Sequence, residues 1–157
     1  MAMTVLAPMA PTLTAAAARE PGIAIIVPPA GLAIQYNRLS LRDVFLRRIY
    51  IDQRGHPIIP LNLPPDSPLR QAFSLSLLSA TPQSLQSYWN ERYFHGVLPP
   101  HVLDSPEAVL RFVAKTQGAV GYVPACLVDP RVKEVAELPV PPELRGAVAN
   151  MCHTGVP

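Results

Sequence analysis

Four proline pairs, Pro28-Pro29, Pro64-Pro65, Pro99-Pro100 and Pro141-Pro142, punctuate this chain and mark where its elements stop. Proline fixes its own φ, lacks an N–H and pushes the preceding residue away from the helical region, so regular structure ends at such a pair. Twenty prolines against eight glycines is an unusual balance in 157 residues. It stiffens connections and lowers the entropy of the unfolded chain, which suits a compact domain with few covalent bridges. The length fits one domain with a real core and is too short for two full lobes around a ligand.

Between the breaks, strand and helix patterns alternate. Gly22–Pro28 (GIAIIVP) is a continuous, largely β-branched run and predicts a buried strand in the middle of a sheet. Leu39–Tyr50 predicts a helix of about three turns, with Ser40 as cap, Asp43 three residues on, and Leu41, Val44, Phe45 and Ile49 at helical spacing. Asp52–His56 turns at Gly55 and hands over to Pro57–Phe73 (PIIPLNLPPDSPLRQAF), an apolar run, a proline turn and a helix start. There Ser67 is placed to cap and Pro68 to take the first helical position, and the helix runs to about Leu78 with Leu69, Phe73 and Leu77 on one face. Thr81-Pro82 and Ser105-Pro106 open two further helices by the same device; Trp89 in the first reads as a core anchor, and Gly118 ends the second.

Ala119–Val123 (AVGYV) returns as a strand, in which Gly121 indicates either close approach of a backbone or ligand, or a packing demand for a small residue. Val132–Leu138 predicts an edge strand, and 139–157 a loosely held tail. Strand, helix, strand, three helices and one or two strands argue for an α/β sandwich with an at least partly parallel sheet.

The chemistry of the residues excludes more than it supports. An apolar fraction of 49%, a charged fraction of 15% and a net charge of +2 give no basic stripe for nucleic acid, since only Arg47-Arg48 are paired among scattered arginines. Met1–Ala18 has no charged side chain and ends in four alanines, which predicts an export-signal remnant or a disordered leader, and with Pro8 and Pro11 it is a poor membrane span. Cys126 and Cys152 permit one intramolecular disulfide in an oxidising compartment and two thiols in a reducing one. The four histidines (His56, His95, His101 and His153) have no pair at i, i+4 for a metal, and Ala149 stands where a haem-attachment sequence ending in Cys152-His153 needs its first cysteine. No phosphate-cradling glycine loop and no strained G-x-S-x-G turn occur, so neither a cofactor nor catalysis is implied. The positive feature is the Ser67 helix start, whose unpaired N–H groups attract anions and where Arg70, one turn in, adds a fixed charge and a forked donor; an ordinary capped surface helix uses the same residues.

Taken together, LSLRDVFLRRI, PIIPLNLPPDSPLRQAF, LQSYWNERYFHG with its proline pair, and SPEAVLRFVAKTQGAVGYV resemble, in order, the phosphate-binding proteins of bacterial phosphate ABC transporters, and more closely their short, single-lobe periplasmic relatives. The resemblance spans roughly Ile23–Val123. It implies one lobe of a type II periplasmic-binding-protein fold over 19–138, a small mixed sheet flanked by about four helices, preceded by the 1–18 leader and followed by the 139–157 tail. It further implies a periplasmic, non-enzymatic protein that binds phosphate or another oxyanion weakly through Ser67 and Arg70. The two-lobed family's anion loop reads G-S-G-T-R, and Asp66, Ser67, Pro68, Leu69 and Arg70 align with it, so serine and arginine are shared while the glycines and threonine are not. One lobe leaves an anion half-solvated, which implies a homodimer, a protein partner in the envelope, or weak binding. The alternative is a structural or adaptor subunit of an envelope complex that has lost anion binding.

Overall fold

The computed structural model describes residues 20–154, so the expectations for Met1–Ala18 lie outside the described residues. Five strands form one mixed sheet: β1 (Gly22–Val27), β2 (Ile59–Asn62), β3 (His101–Val102), β4 (Ala119–Pro124) and β5 (Lys133–Pro139), in the order β3-β2-β4-β1-β5. The helices are α1 (Arg38–Phe45), α2 (Pro68–Phe73), α3 (Gln86–Phe94), α4 (Pro106–Lys115) and α5 (Arg145–Thr154). β2 runs parallel to β3 and β4, the arrangement that helical crossovers require, and β1 runs antiparallel to β4 and β5. The alternation of side chains along β4 divides the helices between two faces. Gly121 faces Val109 and Val113 of α4, and Tyr122 faces Phe45 of α1 and Phe73 of α2.

The expected α/β sandwich is therefore present, with five helices rather than about four. β1 is buried at every position because it is paired on both edges and covered on both faces, which is why its sequence is apolar without alternation. A methyl group on Gly121 would lie 2.5 Å from Val109 Cγ1, so the packing reading of that glycine holds. Gly118 is needed for a different reason: its φ is +86°, and a side chain there would strike the Pro57 carbonyl beside which β4 begins.

Several local expectations shift. Asn37, not Ser40, caps α1, its Oδ1 accepting from Ser40 N at 2.9 Å; Asp43 instead pairs with Arg48, and the helix stops before Arg47, whose φ is +58°. The helix opened by Ser67 changes to a π-helical turn over Ser74–Leu78 and ends on left-handed Ser79. Thr81 Oγ1 accepts from Ser84 N at 3.0 Å but caps only a turn, so α3 starts at Gln86. That helix buries none of its residues; Trp89 is half-buried at the margin of the core, against Tyr88, and is no core anchor.

The largest correction concerns 139–157, which was expected to be a loose tail. Its described part turns at Pro142–Leu144 and forms α5, which packs on α2 and β4, buries Val148, and is bonded through Cys152 to Cys126. Its weak amphipathic signal hid it: Val148 is its one fully buried side chain, with the half-buried Met151 packing beside the core and the disulfide adding a covalent tie.

The turn before β2 is built on Asp52, whose buried carboxylate accepts from the N–H groups of Ala33, Arg54 and His56 at 3.2, 2.9 and 2.9 Å. Burial opposes its ionisation, but the three N–H groups, aided by His56, outweigh it and hold the carboxyl at about 2. The folded pKa lies below the unfolded value of about 3.9, so this contribution is complete above about pH 4 and disappears as pH falls toward 2. Replacing Asp52 with Asn should flatten the stability profile across that window, as read by urea melts at successive pH values. The disulfide spans a sequence separation of 26 residues. Loop closure over that length is worth about 3 kcal/mol, so Cys126→Ser or reduction should lower the urea midpoint accordingly.

Candidate anion site

The parallel strands end on one side of the molecule, where open α/β sheets carry their ligands. β2 leaves the sheet there through Leu63 and the turn Pro64–Ser67, closed by Ser67 N donating to Pro64 O at 2.9 Å. The turn delivers the chain into α2. Ser67 occupies the cap position with extended backbone, but its hydroxyl makes no cap hydrogen bond, so that expectation fails. Pro68 takes the first turn and leaves no N–H to donate at that position. Asp66 is exposed, and Ser67 and Arg70 are half-buried on the same side of the helix by their spacing of three; no hydrogen bond joins them.

Arg70 is held at the end of β2. Its Nη1 donates to Leu63 O at 2.7 Å, while its buried Nε has no partner, and no carboxylate pairs with it among the described residues. Burial works against the charged guanidinium and pulls its pKa below the ordinary arginine value, and the nearby Tyr122 opposes this in part. A charge so placed is incompletely solvated and incompletely paired.

Beneath it lies a polar knot that sequence reasoning missed. Tyr122 O–H donates to Asn62 Oδ1, and Leu63 N–H is shared between Tyr122 Oη and Asn62 Oδ1 at 3.2 Å each. All three residues are buried. Burial pushes the Tyr122 hydroxyl well above its ordinary pKa, with Leu63 N–H and the Arg70 charge acting against that, so it remains a neutral donor. The Tyr122 ring stacks on Phe73 with centroids 3.8 Å apart, and Phe45 meets Phe73 edge-on at 4.7 Å. Strand β4 and helix α2 are thereby locked together under Arg70. The signal was an asparagine in the otherwise apolar run PIIPLNL, which in a buried strand demands a partner.

A hollow of about 570 Å³ lies elsewhere, between the start of α4 and the end of α5. Its one arginine, Arg131, is consumed by Glu107 at 2.8 Å and Asp129 at 2.6 Å, leaving no free positive charge for an anion. No cluster of His, Cys, Asp or Glu among the described residues forms a metal site.

The same arrangement of strands and helices occurs in solved proteins. A protein from Clostridium perfringens assigned as a phosphate ABC transporter substrate-binding protein, with phosphate bound, superposes with a TM-score of 0.60 at 18% identity, over 73% of this chain and 44% of that one. An ABC-type phosphate transport receptor from Vibrio cholerae gives 0.60 at 22% identity, over 73% and 45%. The fold is that of phosphate-transporter substrate-binding proteins. PstS from Borrelia burgdorferi shares it with a TM-score of 0.52 at 14% identity, over 68% and 42%. The chain thus spans less than half the length of each, consistent with a single lobe of the binding-protein fold. No protein-family model matches the chain, and no curated protein matches it.

Within this fold the Tyr122 hydroxyl fixes the end of β2 on which Arg70 rests. Tyr122→Phe removes the hydroxyl donor to Asn62 Oδ1 and one of the two acceptors of Leu63 N–H, and should cost about 1–2 kcal/mol, measured by urea unfolding.

Proposed function

We propose that this protein is a periplasmic, non-enzymatic binding protein that holds phosphate or a similar tetrahedral oxyanion at Ser67 and Arg70. The observation that carries the reading is the state of Arg70: a half-buried guanidinium, anchored by one donor to Leu63 O, with no carboxylate partner among the described residues and with Nε unsatisfied. An anion supplies what that group lacks. Ser67, whose hydroxyl is not engaged as a cap, adds a second donor one turn away. The resemblance in sequence to the G-S-G-T-R loop and the fold shared with phosphate-transporter proteins support the same assignment.

Affinity follows from what surrounds the anion. Pro68 removes one backbone donor of the loop and Leu69, which is buried, brings no hydroxyl. With a single lobe the anion keeps part of its water, and charge-assisted bonds are weaker in that setting. Binding in the micromolar to millimolar range is the consequence. Export fits the Cys126–Cys152 bridge, since such bonds persist in oxidising compartments, and no helix of the described residues is long and apolar enough to cross a membrane.

Isothermal titration with phosphate and with sulfate tests the proposal. Heat of binding is expected for the native chain, and Arg70→Ala should weaken it about 10- to 100-fold, the worth of one or two charge-assisted hydrogen bonds. Arg70→Lys should recover part of it, because the charge returns without the fork. No heat and no thermal shift at millimolar anion would overturn the assignment.

A further inference from the structure

At the opposite end of β2 from Arg70, two adjoining hollows of about 480 and 370 Å³ share Arg47, Tyr50 and Leu98. Prolines 57, 60, 99 and 100 line the larger one and Arg92 lines the smaller. Several large apolar side chains that the fold does not cover stand here or near it in sequence: Tyr50 is 60% exposed, Leu98 60% and Phe94 86%. Soluble domains rarely leave such a group of residues bare without a partner. Along one side runs β3, the terminal strand of the sheet, with both residues exposed and its outer edge unpaired among the described residues.

The charge in this groove is one-sided. Arg47 and Arg92 contribute guanidinium groups and His101 an imidazole, and no residue lining either hollow is acidic. Each arginine spends one donor on a backbone carbonyl, Arg47 Nη1 on Ile58 O and Arg92 Nη2 on Arg47 O, both at 3.1 Å. The carbonyl contacts fix the side chains without neutralising them. The left-handed backbone of Arg47, φ +58°, belongs to the end of α1, where Arg47 N–H donates to Val44 O at 3.0 Å and Arg48 N–H to Asp43 O at 2.8 Å, so the helix cap fixes where the Arg47 side chain starts.

We infer that this groove is a docking site for an extended acidic segment of another protein, bearing large apolar side chains that enter the two hollows while its carboxylates meet Arg47 and Arg92. Two adjoining hollows beside the terminal strand β3 fit an extended chain rather than a compact ligand. The charge disfavours self-pairing: a two-fold axis through the groove would bring Arg47 and Arg92 toward their own equivalents. This inference does not depend on anion binding at Arg70.

A labelled random copolymer of glutamate and tyrosine is a suitable probe, with poly-glutamate and a lysine-tyrosine copolymer as controls, read by fluorescence anisotropy on the full chain. The native protein should bind the glutamate-tyrosine copolymer at least about tenfold more tightly than either control. Leu98→Asp and Arg92→Gln should each weaken it about tenfold, whereas Arg111→Gln, which removes an equal charge from the remote α4 surface, should not. Leu98 is exposed, so its variant keeps the native melting curve and remains interpretable if Arg92→Gln loosens the chain. No binding at ~100 μM protein, equal binding of poly-glutamate, or equal loss in Arg111→Gln would each overturn the proposal. So would sedimentation of the native protein as a dimer that Leu98→Asp dissociates, because the groove would then be occupied by a second copy.

Discussion

The hydroxyl of Tyr122 is the contact on which the candidate anion site depends. It stands on β4, faces α1 and α2, and reaches across to Asn62, the last residue of β2, and Leu63 just beyond it. Its ring simultaneously stacks on Phe73. One side chain therefore fixes three elements at once, and each serves a different purpose: β2 presents the Leu63 carbonyl that anchors Arg70, α2 carries Arg70 and Ser67, and β4 supplies the rigid floor. A buried hydroxyl is stabilising only when satisfied, so the knot also specifies the register in which these elements meet. The aromatic contacts contribute burial; the hydroxyl contributes position.

Much of this was legible in the sequence because the strongest signals were covalent or steric. Proline pairs ended β1 and preceded α2, β3 and the turn into α5. The unbroken run GIAIIV announced a strand covered on both faces. The serine-proline starts located α2 and α4, although only Ser105 uses its hydroxyl as a cap, accepting from Ala108 N at 3.1 Å. What was not legible depended on distant partners. Strand β3 has two residues, too few for any pattern, and exists because Leu61 and Asn62 offer it an edge. Helix α5 exists because Val148 finds the core and Cys152 finds Cys126. The residue type of Trp89 points to the core, but helix α3 lies on the surface, where Tyr88 O–H donates to Leu46 O at 2.7 Å.

The site was half legible for the same reason. Ser67 and Arg70 stand out as a helix start, a local feature. Asn62 and Tyr122 lie 60 residues apart in sequence, and only the parallel pairing of β2 with β4 makes them neighbours. A long-range pair of this kind leaves a trace in one sequence only as an isolated polar residue in an apolar strand, which states that a partner exists without naming it.

The pairing of Glu20 with Arg145 at 3.4 Å has a consequence of its own. The first described residue sits beside the start of the last helix, and Glu20 to Gly22 line one hollow together with Cys152 and His153. The entry and exit of the described chain thus meet at a single corner, where the Cys126–Cys152 bond closes a covalent loop around β5 and most of α5. Tension on the end of α5 passes through that bond to the end of β4 and bypasses the residues between the two cysteines, whereas tension on Glu20 enters β1, so the two ends of the described chain lead into neighbouring strands of one sheet.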